Sequence, residues 1–182
     1  MINILIIMIL YDISLKVRVM ASFDFVKALD RCKGYGDIFD LVKRAVRKFL
    51  GLNRAGLMLY LGNLPIHVGA FYKMGSNAIV MNKKLINMML KTFRSPTEAN
   101  SYIFVLLLHE YLHTLGYVEE RIVRRLVYEI TEASFGPNHP ATKMAIHMPM
   151  PRIQYSNETL EKESPDLEIV RDFDKVSQTY IS

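Results

Sequence analysis

The sequence predicts an α+β fold, in which helices and a small sheet occupy separate stretches of the chain. Apolar residues recur at helical spacing over residues 23–50, and three short β-rich segments follow between residues 55 and 81. A long, strongly capped apolar helix then begins at Pro96. The 182 residues suffice for one domain with a real core. We expect a sheet of three or four strands, a buried long helix and a second helix folded back antiparallel on it.

The N-terminal half is predicted to form two helices followed by short strands. Gly34 and Gly36 divide the helical run into two pieces. Strand character then appears in segments that end near glycine or polar residues, namely 55–61, 66–72 and 78–81. Another helical stretch covers residues 83–93.

The long helix carries clear signals at both ends. Ser95-Pro96-Thr97-Glu98 combines a capping serine, a proline at the first helical position and a glutamate three residues after the cap. The helix should run from Pro96 to about Leu115 and stop at Gly116. Residues 102–108 are apolar on every side, which predicts a buried central helix. A second helix is expected from about residue 118 to 134.

The two ends of the chain are predicted to lie outside the main domain. Residues 1–19 are interpreted as an upstream extension or a loose strand, because Met20 opens a second start with a helix cap at Ser22. Residues 1–10 are apolar but too short to span a bilayer. The main domain is expected over residues 20–147. Residues 148–182 form a proline-containing linker and an acidic tail, with a short helix expected at 167–176.

Composition narrows the classes of site and partner. Cys32 is the single cysteine, so a metal site must use histidine and carboxylate ligands. One cysteine also fits a reducing compartment, and we expect a cytoplasmic protein. The formal net charge is +5, yet no nucleic-acid recognition motif accompanies it, so we interpret the basic residues as a solvated surface. Scarce glutamine beside abundant Lys and Glu is typical of thermophilic proteins. The sequence does not predict an oligomeric state.

The chemistry of the chain is indicated by residues 109–113, which read His-Glu-Tyr-Leu-His. Histidines at positions i and i+4 share one helix face and can bind a single zinc ion. Glu110 projects about 100° round the helix from His109, where it can take a proton from zinc-bound water. We therefore predict zinc bound by His109 and His113, with Glu110 as general base.

The segment from His109 to Gly116, His-Glu-Tyr-Leu-His-Thr-Leu-Gly, resembles the active-site helix of zincin metallopeptidases. The glycine resembles the metzincin branch, in which a third histidine ligand follows six residues after the second. Here that position is Glu119. The resemblance implies a zinc metallopeptidase that hydrolyses a peptide or protein substrate. It also implies that the strand before the active-site helix, residues 78–81, is the sheet edge that pairs with substrate.

The third metal ligand is predicted to be Glu119. At about 100° per residue, Glu119 falls near the middle of the apolar face of residues 118–133, where a carboxylate needs a cation. Glu120 lies at the border of that face and stays an alternative, as does His139 in the later loop. Glu129 lies about 15 Å further along the helix. We interpret His67 and His147 as structural and Tyr117 as a packing residue.

A second class of function remains open from the sequence. The chain could be a catalytically inactive zincin-like protein that binds zinc and acts as an interaction module. Intact Glu110 favours the peptidase, because a site that only binds metal has no need of a general base.

Overall fold

The computed structural model describes residues 25–149 and 166–174. It confirms an α+β fold, with six helices and one four-stranded mixed sheet in this part of the chain. The predictions for residues 1–19 and for most of the acidic tail lie outside the described residues.

The helices lie before and after the central strands. They are α1 (25–31), α2 (Tyr35–Leu50), α3 (Lys83–Leu90), α4 (Pro96–Thr114), α5 (Glu120–Phe135) and α6 (Pro140–Ile146). The strands are β1 (Met58–Gly62), β2 (Ala70–Tyr72), β3 (Ala78–Asn82) and β4 (Glu168–Val170). None of the described helices is long and apolar enough to cross a membrane.

The sheet has the order β2-β3-β1-β4. The central strands β1 and β3 are parallel, from Met58 opposite Ala78 to Gly62 opposite Asn82. The outer strands β2 and β4 run antiparallel to their neighbours. The prediction that residues 78–81 form the sheet edge is therefore wrong, because β3 is paired on both sides. The edge next to α4 is β2.

Helix α4 is the buried centre of the molecule, as its all-round apolar sequence predicts. It packs against α2, α5, α6 and β2. Every residue from Ser101 to Leu108 is buried. Its start follows the predicted capping pattern: the Ser95 side chain accepts a hydrogen bond from the Glu98 backbone N–H at 3.2 Å. Because α4 is packed on all sides, the orientation of its last turns is fixed relative to the rest of the fold.

Several predicted boundaries differ from the structure for identifiable reasons. The strand expected over residues 66–72 shrinks to β2, because the buried Asn82 amide donates to the carbonyls of Leu64, Pro65 and Val68 and holds them in a loop. Gly36 lies inside α2 instead of ending a helix. The short helix expected over 167–176 is instead β4, which pairs with the free side of β1. Helix α6 was not predicted.

Candidate metal centre

The end of α4 brings His109 and His113 together. Their Nε2 atoms lie 3.2 Å apart, and both rings are largely shielded from solvent. Burial lowers the pKa of His109, and the nearby His113 lowers it further while Glu120 opposes this. A lowered pKa favours the neutral imidazole, which is the form that binds a metal ion.

Glu120 completes a three-residue cluster with these histidines. Its Oε1 lies 3.2 Å from His113 Nε2, and its Oε2 lies 3.4 Å from His109 Nε2. Ligands of a tetrahedral ion with bonds of about 2.0–2.1 Å are separated by roughly 3.3 Å. The cluster of His109, His113 and Glu120 therefore has the donor types and spacing of a three-ligand metal site, and it is the only such group within the described residues.

Glu119, the predicted third ligand, lies outside this cluster. Its backbone is extended at the position before α5, its side chain is 60% exposed, and its carboxylate lies 3.9 Å from Arg121 Nε. The prediction that Glu119 lies on the buried face of the second helix is wrong, because α5 begins only at Glu120 and its first turn is exposed to solvent. Val118, expected on the buried face, is 68% exposed. The buried face begins at Val123, so Glu120 replaces Glu119 as the candidate ligand.

The remaining rivals are also remote from the cluster. Glu129 is half-buried and lies beside Arg125. His139 caps α6, because its Nδ1 accepts a hydrogen bond from the Ala141 backbone N–H at 3.2 Å, and its ring stacks on Phe135. Burial lowers the pKa of His139, as expected for a neutral histidine within the fold. His67 and His147 are exposed, and the Tyr117 ring packs against the core.

A backbone carbonyl orients His113. Nδ1 of His113 lies 2.7 Å from the carbonyl oxygen of Tyr117. A proton on Nδ1 donates to this carbonyl, which leaves the Nε2 lone pair directed into the cluster. The carbonyl reaches this position because Gly116 turns the chain with a φ of 97°. Gly116 therefore ends the helix and also fixes the tautomer of one candidate ligand.

Glu110 is buried beside the cluster, with 6% of its surface exposed. Burial raises its pKa to about 7, and the charge of Glu120 adds to the rise, while a backbone hydrogen bond from Tyr72 opposes it. Tyr72 belongs to the edge strand β2, so the carboxyl group faces both the candidate ligands and the sheet edge. A carboxyl with a pKa near neutrality can both accept and return a proton.

Two adjoining cavities form a cleft between β2 and α4. One, of about 480 Å³, is lined by the β2–β3 turn and the end of α4. The other, of about 320 Å³, is lined mainly by apolar side chains of α4, α5 and α6. Both are bordered by Ala70, His109 and Glu110. The candidate metal ligands therefore lie in the middle of a cleft that runs along a sheet edge.

Comparison with protein-family models, with curated proteins and with solved structures finds no match to this chain.

Proposed function

We propose that this chain is a zinc-dependent peptidase, with His109, His113 and Glu120 as metal ligands and Glu110 as general base. The observation that carries the proposal is the three-residue cluster with donor atoms 3.2–3.4 Å apart, together with a buried carboxyl group in the same cleft. Two histidines and a glutamate with an open fourth position are the donor set of many hydrolytic zinc sites.

The division of chemistry between metal and protein follows from these positions. Zinc held by His109, His113 and Glu120 would supply Lewis acidity, which would acidify the attacking water and polarise a peptide carbonyl. Glu110 accepts the proton of the attacking water and returns it to the leaving amide nitrogen. The Tyr117 carbonyl keeps His113 in the metal-binding tautomer.

The edge strand β2 and the apolar residues that border the cleft indicate the class of substrate. Within the described ranges β2 has β3 on one side and no strand on the other. The Tyr72 backbone N–H on this outer side already donates to Glu110, and the remaining outer backbone groups are available to an extended peptide. The larger cavity is bordered by exposed apolar side chains. Phe71 and Met74 lie on the side of the sheet, and Val118 follows the end of α4. An extended peptide or protein segment with apolar side chains fits this surface better than a charged one.

The test begins with metal content and ends with hydrolysis. Elemental analysis of the protein supplied with zinc should give close to one equivalent per chain. A peptide library is then incubated with the zinc-loaded chain and with Glu110→Gln. The variant should retain zinc and lose at least about 100-fold in cleavage rate, since only the proton-accepting step is removed. Glu129→Gln, a change on α5 outside the three-residue cluster, serves as the control and should cleave normally.

The same measurements separate the peptidase from an inactive zincin-like interaction module. That module would bind zinc through the same ligands and cleave no peptide. Equal cleavage by the parent and by Glu110→Gln would remove Glu110 as the base, and failure to bind zinc at all would remove the proposal.

A further inference from the structure

Arg54, in the loop between α2 and β1, contacts both walls of the cleft. Its Nη1 donates to the carbonyl of Thr114 at 2.6 Å and to the hydroxyl of Tyr72 at 3.1 Å. Its Nη2 donates to the carbonyl of Ser76 at 2.9 Å and to Oδ1 of Asn77 at 3.0 Å. One half-buried guanidinium therefore joins the last turn of α4 to the β2–β3 turn.

The backbone of Arg54 is itself anchored on the active-site helix. The phenol of Tyr111 accepts a hydrogen bond from the Arg54 backbone N–H at 2.7 Å, and it donates to the Arg54 carbonyl at 3.2 Å. Tyr111 is fully buried between His109 and His113 in the chain. The position from which the guanidinium reaches the β2–β3 turn is thus fixed relative to the candidate metal ligands.

The joined groups line the cleft. Tyr72 and Thr114 both border the larger cavity, and Met74 and Gly75 of the β2–β3 turn border it too. The β2–β3 turn is otherwise exposed at its tip, with Met74 and Gly75 in solvent. Its other stabilising contacts are mostly local, such as the hydrogen bond that the Ser76 hydroxyl donates to the Lys73 carbonyl at 2.7 Å. Arg54 joins this turn to the last turn of α4, in addition to the backbone hydrogen bond that Tyr72 of β2 makes to Glu110.

We propose that Arg54 is a positioning residue that fixes the width of the peptide-binding cleft by holding the β2–β3 turn against the end of α4. This inference rests on the proposed peptidase function for its role in substrate binding. Arg54 touches neither the candidate ligands nor Glu110, so it acts on the fit of the peptide and not on the proton transfer. The planar guanidinium suits this role because its fixed fork of donors reaches four acceptors at once, which a single ammonium group does not.

The experiment compares Arg54→Ala and Arg54→Lys with Arg44→Ala, which removes an exposed arginine of α2 outside the cleft. Amide hydrogen exchange is followed in fragments that cover residues 70–78. We expect exchange there to accelerate about tenfold in Arg54→Ala, less in Arg54→Lys and not at all in Arg44→Ala. Zinc affinity, measured by competition with a chelator, should change less than about threefold in every variant.

Steady-state hydrolysis of a cleaved peptide supplies the functional readout. KM should rise at least about fivefold in Arg54→Ala while kcat stays within about twofold, with partial recovery in Arg54→Lys. If Arg54→Ala does not fold, Asn77→Ala removes the Oδ1 acceptor of Arg54 and should accelerate exchange in the same fragments by a smaller factor.

Opposite results overturn the proposal. These are unchanged exchange over residues 70–78 in a folded Arg54→Ala variant, or a fall in kcat at constant KM. If no peptide is cleaved by the parent, the proposed function fails, and the exchange comparison still decides whether Arg54 holds the β2–β3 turn.

Discussion

The carbonyl oxygen of Tyr117 lies 2.7 Å from Nδ1 of His113, four residues earlier in the chain. This contact links the end of α4 to the tautomer of a candidate ligand. It depends on the left-handed backbone of Gly116, because a right-handed residue there would send the chain in another direction. The glycine after the His-Glu-x-x-His segment thus has a local electrostatic role in addition to ending α4.

Gly116→Ala should cost stability and also weaken metal binding. A β-carbon at Gly116 meets nothing within 4 Å, so the cost is backbone strain of about 1 kcal/mol and not a clash. Relief of this strain moves the Tyr117 carbonyl away from His113 and should lower zinc affinity by roughly tenfold. Urea unfolding and chelator competition measure the two effects.

Gly51→Ala is the matched control for this change. Gly51 also has a positive φ, of 71°, with open space around its missing side chain, and it ends α2. It should lose a similar amount of stability and keep its zinc affinity. An equal loss of affinity in both variants would contradict the role given to the Tyr117 carbonyl.

The neighbouring glutamates at the start of α5 provide a direct test of the ligand assignment. Glu120→Ala should weaken zinc binding by at least about 100-fold, because it removes one of three protein donors. Glu119→Ala should leave the affinity within about threefold, since its carboxylate is exposed and lies beside Arg121. Chelator competition on both variants decides between them, and the reverse ranking would restore Glu119 as the ligand.

The parts of the fold that were predictable are those set by local signals. The cap at Ser95, the apolar run through α4 and the glycine stop at Gly116 act within a few residues, and each is found where the sequence indicates. The sheet edge was not predictable in this way. Which of β2 and β3 lies at the edge depends on how β1 pairs, and this is a contact between distant segments.

The same distinction applies to the candidate metal centre. The relative placement of His109 and His113 follows from helix geometry alone. The choice of the candidate third ligand depends on where α5 begins. The predicted start near residue 118 favoured Glu119, whereas the observed start at Glu120 favours Glu120. Arg54 gave no sequence signal, because its partners lie on three separate segments and most of them are backbone carbonyls or hydroxyls.

The Cys32 thiol should be slow to react at neutral pH. Burial raises its pKa to about 11, and the negative charges of Asp37 and Asp40 add to the rise. The folded chain therefore keeps the thiol protonated, and at pH 8 only about 0.1% is the reactive thiolate. Alkylation by iodoacetamide, followed by mass spectrometry, should be at least about tenfold slower in the folded chain than in urea.

The raised pKa of Cys32 also predicts how the folding stability and the alkylation rate change with pH. Because the pKa in the folded state is above the usual value of 9.0, folding retains a proton that the unfolded chain releases. The associated stability is fully present below pH 9 and is lost as the pH rises towards 11. The alkylation rate should accordingly keep increasing up to about pH 11. A rate that levels off near pH 9 would contradict the raised pKa.

Within the segment 166–174, Asp174 should contribute to stability in addition to the buried ring of Phe173. This carboxylate is 2% exposed, forms an ion pair with Lys43 and accepts a hydrogen bond from the Leu57 backbone N–H at 3.1 Å. Asp174→Ala leaves the Lys43 ammonium, whose side chain is 12% exposed, with Asp40 as its one acidic partner among the described residues, so we expect a loss of about 3 kcal/mol in the free energy of unfolding. Glu168→Ala removes the partner of Lys83 from an exposed pair and should cost less than about 1 kcal/mol. Urea denaturation of both variants measures the difference, and equal losses would show that burial of Asp174 carries no special weight.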